Sequence, residues 1–414
     1  MHFTVVVPTR ERCDTLGSTL RTLTSQRRDD LTIIVSDNAS QDATRDVVEA
    51  TRDPRVKYVN TGHRVSMTSN WEFGLSHVED RETYVFYCGD DDGLLPDALD
   101  NLAEIITQTG TRAVSWKKAD YTWPSWARAS WRNVILLPME NRLVRHTRDD
   151  ALRDVARMWI PYYRLPALYN SVVDARVLHS LRRREGRFFW SQIPDAYSGY
   201  AALAEIEWYL YSTRPFSLNG GSGHSTGASF GSTSNSTPRE RFIAEQDIAP
   251  HAKLKPLFGS MAACIMEPLL QANDHALGGR LTLPRPWIVR AIFRELQSSH
   301  ADVWKGCVDE LTEYAREQND HTLTATIAAM RALYPNRPTV APLDSPPPYG
   351  LTTNHTLVVD LAQYGVFDVD AACRWTGQLL GPYKRPAVTA YHARDKVLTR
   401  AGEWLTRRVP DWTL

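Results

Sequence analysis

The 414-residue chain has no surplus of charge of either sign: 48 Lys and Arg stand against 48 Asp and Glu. A general polyanion binder carries a basic excess, so no nucleic-acid partner is expected. Cysteine is scarce. The five thiols, Cys13, Cys88, Cys264, Cys307 and Cys373, are odd in number, far apart and form no CxxC pair, which speaks against a disulfide framework and against a zinc site. Long apolar runs are missing as well. No stretch approaches the roughly 18–20 residues that a spanning helix needs. The opening "MHFTVVVPTRERCD" lacks a basic n-region and an extended apolar h-region, so it reads as a first strand and not as a signal peptide. The expectation is a soluble, reduced, cytoplasmic protein with at most peripheral contact to a membrane. No internal repeat is present.

What the chain does have is an ordinary globular composition, 43% hydrophobic and 23% charged, with 13 Trp and 17 Tyr. Such amphipathic rings suit sugar, nucleotide or interface contacts, although most pack in cores. The length suggests two or three domains. The first part alternates strand and helix signals: "HFTVVVP", "LTIIVSDNAS", "RVKYVN", "TYVFYC" and "TRAVSWK" read as strands, separated by helical patterns such as "LPDALDNLAEIITQTG". Alternation of this kind predicts a mostly parallel sheet with helices on both faces, whose ligands bind at the carboxyl ends of the strands. Polar residues fall at those ends: Thr9, Arg10 and Glu11, then Asp37 and Asn38, then Asp90, Asp91 and Asp92.

Beyond residue 118 the alternation weakens. "DYTWPSWARASWRNVILLP" suits antiparallel strands or a loop, and "VVDARVLHSLRRREG" suits a helix. Leu218 to Arg241 is nearly all Gly, Ser, Thr and Asn, the composition of a linker or mobile loop. Helical patterns dominate from residue 239, and the proline-rich "DSPPPYG" is expected to mark where a tail leaves the core.

The run "YCGDDDGLLPDAL" carries the sharpest chemistry. Three adjacent carboxylates repel one another, and a hard divalent cation such as Mg2+ or Mn2+, which takes oxygen ligands and keeps places for phosphate, offsets that repulsion. Alone, such a run is as often a solvated turn or cap.

"VVVPTRER", "IIVSDNASQDAT", "NWEFGL" and "YCGDDDGLLPDAL", in this order, resemble the nucleotide-sugar-binding half of family 2 glycosyltransferases of the GT-A fold. The resemblance covers about residues 1–118 and extends more loosely to about residue 230. It implies a GT-A nucleotide-diphospho-sugar transferase fold with a mainly helical C-terminal region. The implied divisions are a donor half (1–118), an acceptor half with catalytic base and Gly/Ser-rich loop (119–238), a helical region (239–335), and a proline-rich connector and tail (336–414).

By the same resemblance, Pro8, Thr9, Arg10 and Glu11 frame the base and ribose, and Asp37 and Asn38 bind the base, typically uracil. Where the family usually has Asp-Asp-Gly-Ser, this chain reads "SDNAS". Asn70 and Trp71 line the donor. Asp90 faces ribose or sugar, Asp92 ligates the metal, and Asp91 lies between them. The bland alternatives are that Pro8 ends a strand, Asp37 caps a helix, and Asn70 and Trp71 pack. Asp195, in "FFWSQIPDAYSGYAALA", stands where the family carries its general base, with capping of a helix as the alternative. Asp174, Glu205 and Glu207 are fallback candidates. His224 in the Gly/Ser loop is a further metal ligand or a solvated side chain. The "RRRE" run at Arg182 to Glu185 is a solvated helix face or an approach to an anionic acceptor.

The implied function is an inverting, metal-dependent transfer of a sugar from a nucleoside-diphosphate donor, foremost a UDP-sugar, to a hydroxyl of a glycan or lipid-linked glycan, with Mn2+ or Mg2+ and with oligomeric state left open. Two alternatives stand beside it. One is a non-catalytic carbohydrate- or partner-binding protein on the same scaffold. The other is a sugar-phosphate nucleotidyltransferase, disfavoured because "VPTRERCDTLG" is not a Gly-rich triphosphate loop.

Overall fold

Short β-branched runs alternating with helix formers fold into a nine-stranded and a six-stranded sheet. The computed structural model describes residues 1–80, 82–157, 161–224, 242–254, 259–338 and 345–391. In chain order the elements begin β1 (His2–Thr9), α1 (Cys13–Thr24), β2 (Leu31–Asp37), α2 (Thr44–Thr51), β3 (Val56–Asn60), α3 (Met67–Ser76), β4 (Thr83–Tyr87), β5 (Gly93–Leu94), α4 (Ala98–Thr109) and β6 (Ala113–Trp116). Then follow β7 (Ala119–Thr122), β8 (Val134–Pro138), β9 (Leu143–Thr147), α5 (Arg148–Ala156), β10 (Ser171–Asp174), α6 (Ala175–Glu185), α7 (Pro194–Ala202), β11 (Trp208–Ser212) and β12 (Ser217–Gly221). The last are α8 (Met261–His275), α9 (Arg285–Leu296), α10 (Ala301–Glu317), α11 (His321–Leu333), β13 (Gly350–Leu351), β14 (Thr356–Asp360), α12 (Val369–Leu380) and β15 (Val388–Ala390).

The large sheet runs β15-β9-β11-β6-β10-β4-β1-β2-β3. One edge of it, β4-β1-β2-β3, is wholly parallel, while β10 enters antiparallel between β4 and β6. The continuous apolar run of β1 is the mark of a strand covered on both faces. Val5 and Val7 join Ile33, Val35 and Phe86 under α1 and α4. Val6 joins Ile34, Val85 and Tyr87 on the opposite face, in a cluster that continues through α3, α6 and α7 into α8 to α11. The helical region is therefore packed onto the sheet. Helix α4 ends as its sequence predicts, on Gly110 in the left-handed conformation. Among the described residues no helix is long and apolar enough to cross a membrane.

Two expectations are corrected. The start of the Gly/Ser-rich segment is neither linker nor mobile loop: Ser217–Gly221 is a buried strand, paired with β7 and β5. Its glycines permit close approach, since a Cβ on Gly220 would lie 1.7 Å from the carbonyl oxygen of Asp91. Residues 225–241 lie outside the described residues. Nor does "DSPPPYG" mark a departure. After it, β14 pairs antiparallel with β8, β15 adds to β9, and α12 packs behind the aspartate run, with Cys373 Sγ 2.8 Å from where a Cβ of Gly93 would sit.

Candidate active site

The parallel register brings the polar strand ends together. Thr9 lies opposite Asp37, and Asp37 opposite Asn60. The amide of Cys88 bonds Val6 O at 2.9 Å, so the chain leaving β4 delivers Gly89 to Asp92 beside the end of β1. This is the rim that the alternation predicted.

The three aspartates are not equivalent. Asp92, 2% exposed, accepts the Gly89 amide on Oδ2 (2.9 Å) and the Gly220 amide on Oδ1 (2.6 Å). Its neighbour Tyr169 adds a hydroxyl bond. Asp91 accepts the Ser222 amide (3.2 Å), and its carbonyl takes the Trp123 indole N–H (2.9 Å). Asp90 faces Arg12, with Oδ1 3.6 Å from Nε. Burial and the charge of Asp91 push the Asp92 carboxyl up; burial does the same to Asp90, with Arg12 opposing it.

Carboxylates held in this state call for a counter-charge, and an all-oxygen donor set suits Mg2+ or Mn2+. Among the described residues no three His, Cys, Asp or Glu side chains form a cage, so such a cation would complete its shell with oxygens from outside the protein. His224 is separate from the aspartates in its contacts. Its ring is 57% exposed and lies 3.7 Å from Asp14, while its carbonyl accepts Arg12.

The residues expected at the base are occupied within the protein. Asp37 is fully buried. Its Oδ1 accepts the Ser40 amide and hydroxyl, and its Oδ2 accepts the Tyr58 hydroxyl at 2.6 Å and the Asn60 amide at 3.1 Å. Asn38 clasps both backbone groups of Val65. As placed, these two shape the rim loops, and a base contact through Asp37 would displace one of its donors. Pro8 pairs with Ser36 and does not end β1, which runs on to Thr9. Arg10 meets Glu245 at 2.6 Å. Glu11, in the left-handed region at φ 54, accepts Arg64 at 2.7 Å.

"NWEFGL" resolves into packing. Asn70 spends its side chain on Ser36, and Trp71 stacks on Tyr87 at 4.5 Å. Glu72 holds the amides of Phe188 and Phe189 and pairs with Arg182. The donor-lining role expected of Asn70 is thereby corrected: its polar groups face strand β2, and the residue is 4% exposed.

Asp195 lies in the first turn of α7, where Ile193 takes the cap position. Its Oδ2 accepts the Tyr162 hydroxyl at 2.9 Å, so the side chain does not serve as the cap. Two of the three fallback carboxylates are otherwise engaged: Asp174 caps α6 and is gripped by Arg112 and Arg176, and Glu205 pairs with Arg184. The basic run is internally neutralised, Arg182 by Glu72, Arg183 by Asp80, and Arg184 by Glu185 and Glu205.

Aromatic contacts join Asp195 to the aspartate rim. Tyr162 meets Tyr163 edge-on at 5.9 Å, and Lys118 lies over Tyr163 and Tyr169. Tyr169 reaches Asp92 and stacks on Trp71 at 6.1 Å. Sequence reasoning passed over Arg12, Lys118, Asp120, Tyr162 and Tyr169. Burial lifts the Asp120 carboxyl to about 6, with Lys118 opposing. Only Arg12 had a signal, its place in the "TRER" of the first strand end.

The model of glycosyl transferase family 2 matches residues 4–164, which run from within β1 past β9 and take in Asp90, Asp91 and Asp92. A curated relative, the GalNAc(5)-diNAcBac-PP-undecaprenol beta-1,3-glucosyltransferase of Campylobacter jejuni, is 35% identical over 103 residues, or 24% of this chain and 33% of that protein. The chain thus spans about a third of the length of that relative. Solved structures with similar coordinates include Staphylococcus aureus TarS 1–349 in complex with UDP-GlcNAc, at 14% identity and TM-score 0.47, covering 86% of this chain and 96% of that one. Another is the mannosyltransferase PcManGT of Pyrobaculum calidifontis in complex with GDP-Man and Mn2+, at 17% identity and TM-score 0.38, covering 81% and 88%. The family 2 match ends before Asp195 and His224, so the acceptor side of the site stands on this chain's own geometry.

Proposed function

We propose that the chain is an inverting glycosyltransferase that moves a sugar from a nucleoside-diphosphate donor, UDP-linked in the first instance, to a hydroxyl of a glycan or lipid-linked glycan. One juxtaposition supports this reading. A rim of three aspartates closes the parallel strands of a region matching family 2, and a contact chain of Tyr169, Lys118, Tyr163 and Tyr162 leads from it to the carboxylate of Asp195. The name of the curated relative, which describes a sugar chain on PP-undecaprenol, favours a lipid-linked acceptor and a place at the inner face of a membrane.

In this mechanism Asp195 receives the proton of the acceptor hydroxyl as that oxygen attacks the anomeric carbon, and the bond to the nucleoside diphosphate breaks. Tyr162 orients the carboxylate by donating to one oxygen, leaving the other for the acceptor. Asp90, with Asp92 beneath it, would hold Mn2+ or Mg2+, which supplies charge neutralisation for the departing diphosphate. Arg12 adds a fixed cation at the same rim.

The test pairs donor binding with turnover. Asp195→Asn is expected to bind a UDP-sugar as the parent does while losing about 10²–10⁴-fold in transfer. Transfer at the parental rate would remove Asp195 from the mechanism. Failure of the parent to bind or hydrolyse any of a panel of nucleotide-sugars with Mn2+ would remove the reading itself. Product stereochemistry, read from the anomeric proton coupling, checks inversion.

A further inference from the structure

The turn between β6 and β7 carries two lysines that diverge. Lys117 donates its amide to Ser212 O at 2.8 Å, and burial depresses its ammonium, with Glu140 opposing and Arg164 and Arg142 adding to the depression. Lys118 turns to the other side. Its Nζ lies 6.0 Å from the ring centroid of Tyr163 and 5.9 Å from that of Tyr169, within cation–π range of both.

The two rings are fixed. Asn170, fully buried, donates to Trp116 O at 3.0 Å and to Tyr163 O, which ties the tyrosine loop to the end of β6. Tyr169 is held at one face by Trp71 (6.1 Å, 14° between planes) and at its hydroxyl by Asp92. A lysine over two immobile rings is positioned, not merely tolerated.

The half-buried ammonium is left to solvent or to a ligand for its hydrogen bonds. Ring faces attract its charge but offer poor acceptors for its three N–H groups. Lys118 makes no hydrogen bond or ion pair with any described residue, and Asp120, whose carboxyl feels its charge, stays beyond ion-pair distance. It links Tyr169, which reaches Asp92, to Tyr163, whose neighbour Tyr162 reaches Asp195.

We infer that Lys118, cradled by Tyr163 and Tyr169, is the cation of a phosphate subsite between the aspartate rim and Asp195. The inference rests on the transferase reading and deepens it. The phosphate has two sources, the donor diphosphate or a phosphate carried by the acceptor, and both present the same chemistry to an ammonium.

The experiment uses the full chain and three forms: parent, Lys118→Met, which keeps the apolar stem over the rings, and Lys118→Arg, which keeps the charge. Calorimetric titrations with UDP, uridine and inorganic pyrophosphate are run with Mn2+, alongside acceptor kinetics. If the donor supplies the phosphate, Lys118→Met weakens UDP and pyrophosphate binding about tenfold or more, leaves uridine unchanged, and Lys118→Arg restores most of the loss. If the acceptor supplies it, UDP binding is unchanged and KM rises about tenfold for a phosphate-bearing acceptor but not for a neutral one. Unchanged values in both arms, or an equal loss for uridine, overturn the subsite. Pyrophosphate keeps the two readings apart. A parent that binds no nucleotide but shows Lys118-dependent pyrophosphate binding upholds the subsite while the transferase reading falls. A parent that binds neither ends both.

Discussion

At the scale of residues, three identical side chains in a row take three environments because the backbone turns between them. Asp92 is drawn inward and becomes a hub for two glycine amides and a tyrosine hydroxyl. Asp91 is tied to Ser222, and Asp90 stays at the rim with Arg12. Glycine at 89 is needed for this turn, since a Cβ there would stand 2.3 Å from the Tyr169 hydroxyl. A consequence separates the two outer aspartates. In Asp92→Asn, one backbone N–H meets an amide NH2 in place of a carboxylate oxygen, so stability falls by about 1–3 kcal/mol. Asp90 takes the Arg10 amide and the Thr9 hydroxyl, and Asp90→Asn keeps one carbonyl oxygen for the amide at the open rim, so its urea midpoint falls less than that of Asp92→Asn. Both weaken Mn2+-dependent UDP binding under the proposed function. Equal midpoints for the two variants would show that Asp92 is not the hub described.

At the scale of elements, motifs that look functional in sequence divide into those that carry ligand chemistry and those that hold the frame. "NWEFGL" holds the frame. Asn70 locks α3 onto β2, and Gly74 lets the helix approach, its absent Cβ falling 2.7 Å from Val6 Cγ1. Glu72 satisfies two backbone amides 116 and 117 residues away. Glu72→Ala strips partners from both amides and from Arg182, and is expected to cost about 1–3 kcal/mol in urea denaturation with donor affinity unchanged. Loss of affinity at full stability would return the motif to the donor site. The segment after the Gly/Ser-rich run behaves likewise: Glu245 and Asp247 clasp Arg10, Ser66 and Ser69 at the rim. Pattern reasoning foresaw the parallel strands and the C-terminal end of α4, because apolar period and a stop glycine are local signals. It missed β12, because glycine and serine are poor strand formers that only a crowded neighbour, here Asp91, makes necessary.

At the scale of the whole molecule, the helical region and residues 345–391 are continuous with the sheets and not appended to them. Glu267 on α8 shows how the joint is made: fully buried, it accepts Ser191 at 2.6 Å, Gln271 at 2.9 Å and the His251 amide at 3.1 Å. Burial outweighs these bonds and lifts its carboxyl from the ordinary 4.5 to about 7. The folded chain therefore keeps a proton that the unfolded chain has released, and this group's contribution to stability declines as pH rises from 4.5 through about 7. Glu267→Gln, which keeps a neutral side chain of the same shape, is expected to flatten that slope and to raise the urea midpoint at about pH 8 relative to the parent. A parallel pH profile in the two proteins would place the proton elsewhere.

What the sequence by itself determined is the N-terminal, parallel half of the large sheet. Its strands, the rim where they end and the concentration of acid there follow from hydrophobic period and strand polarity, which act over a few residues. What only tertiary structure decided is the assignment of each acid. Asp37, Asn38 and Asn70 are polar residues at promising places, but their hydrogen-bonding capacity is spent on Ser40, Tyr58, Val65 and Ser36. Conversely, Lys118, Tyr162 and Tyr169 sit in unremarked stretches and gain meaning from residues distant in sequence. The cause is the same in both cases. A buried polar group is defined by the partners that satisfy it, and those partners are set by long-range packing that no local pattern records.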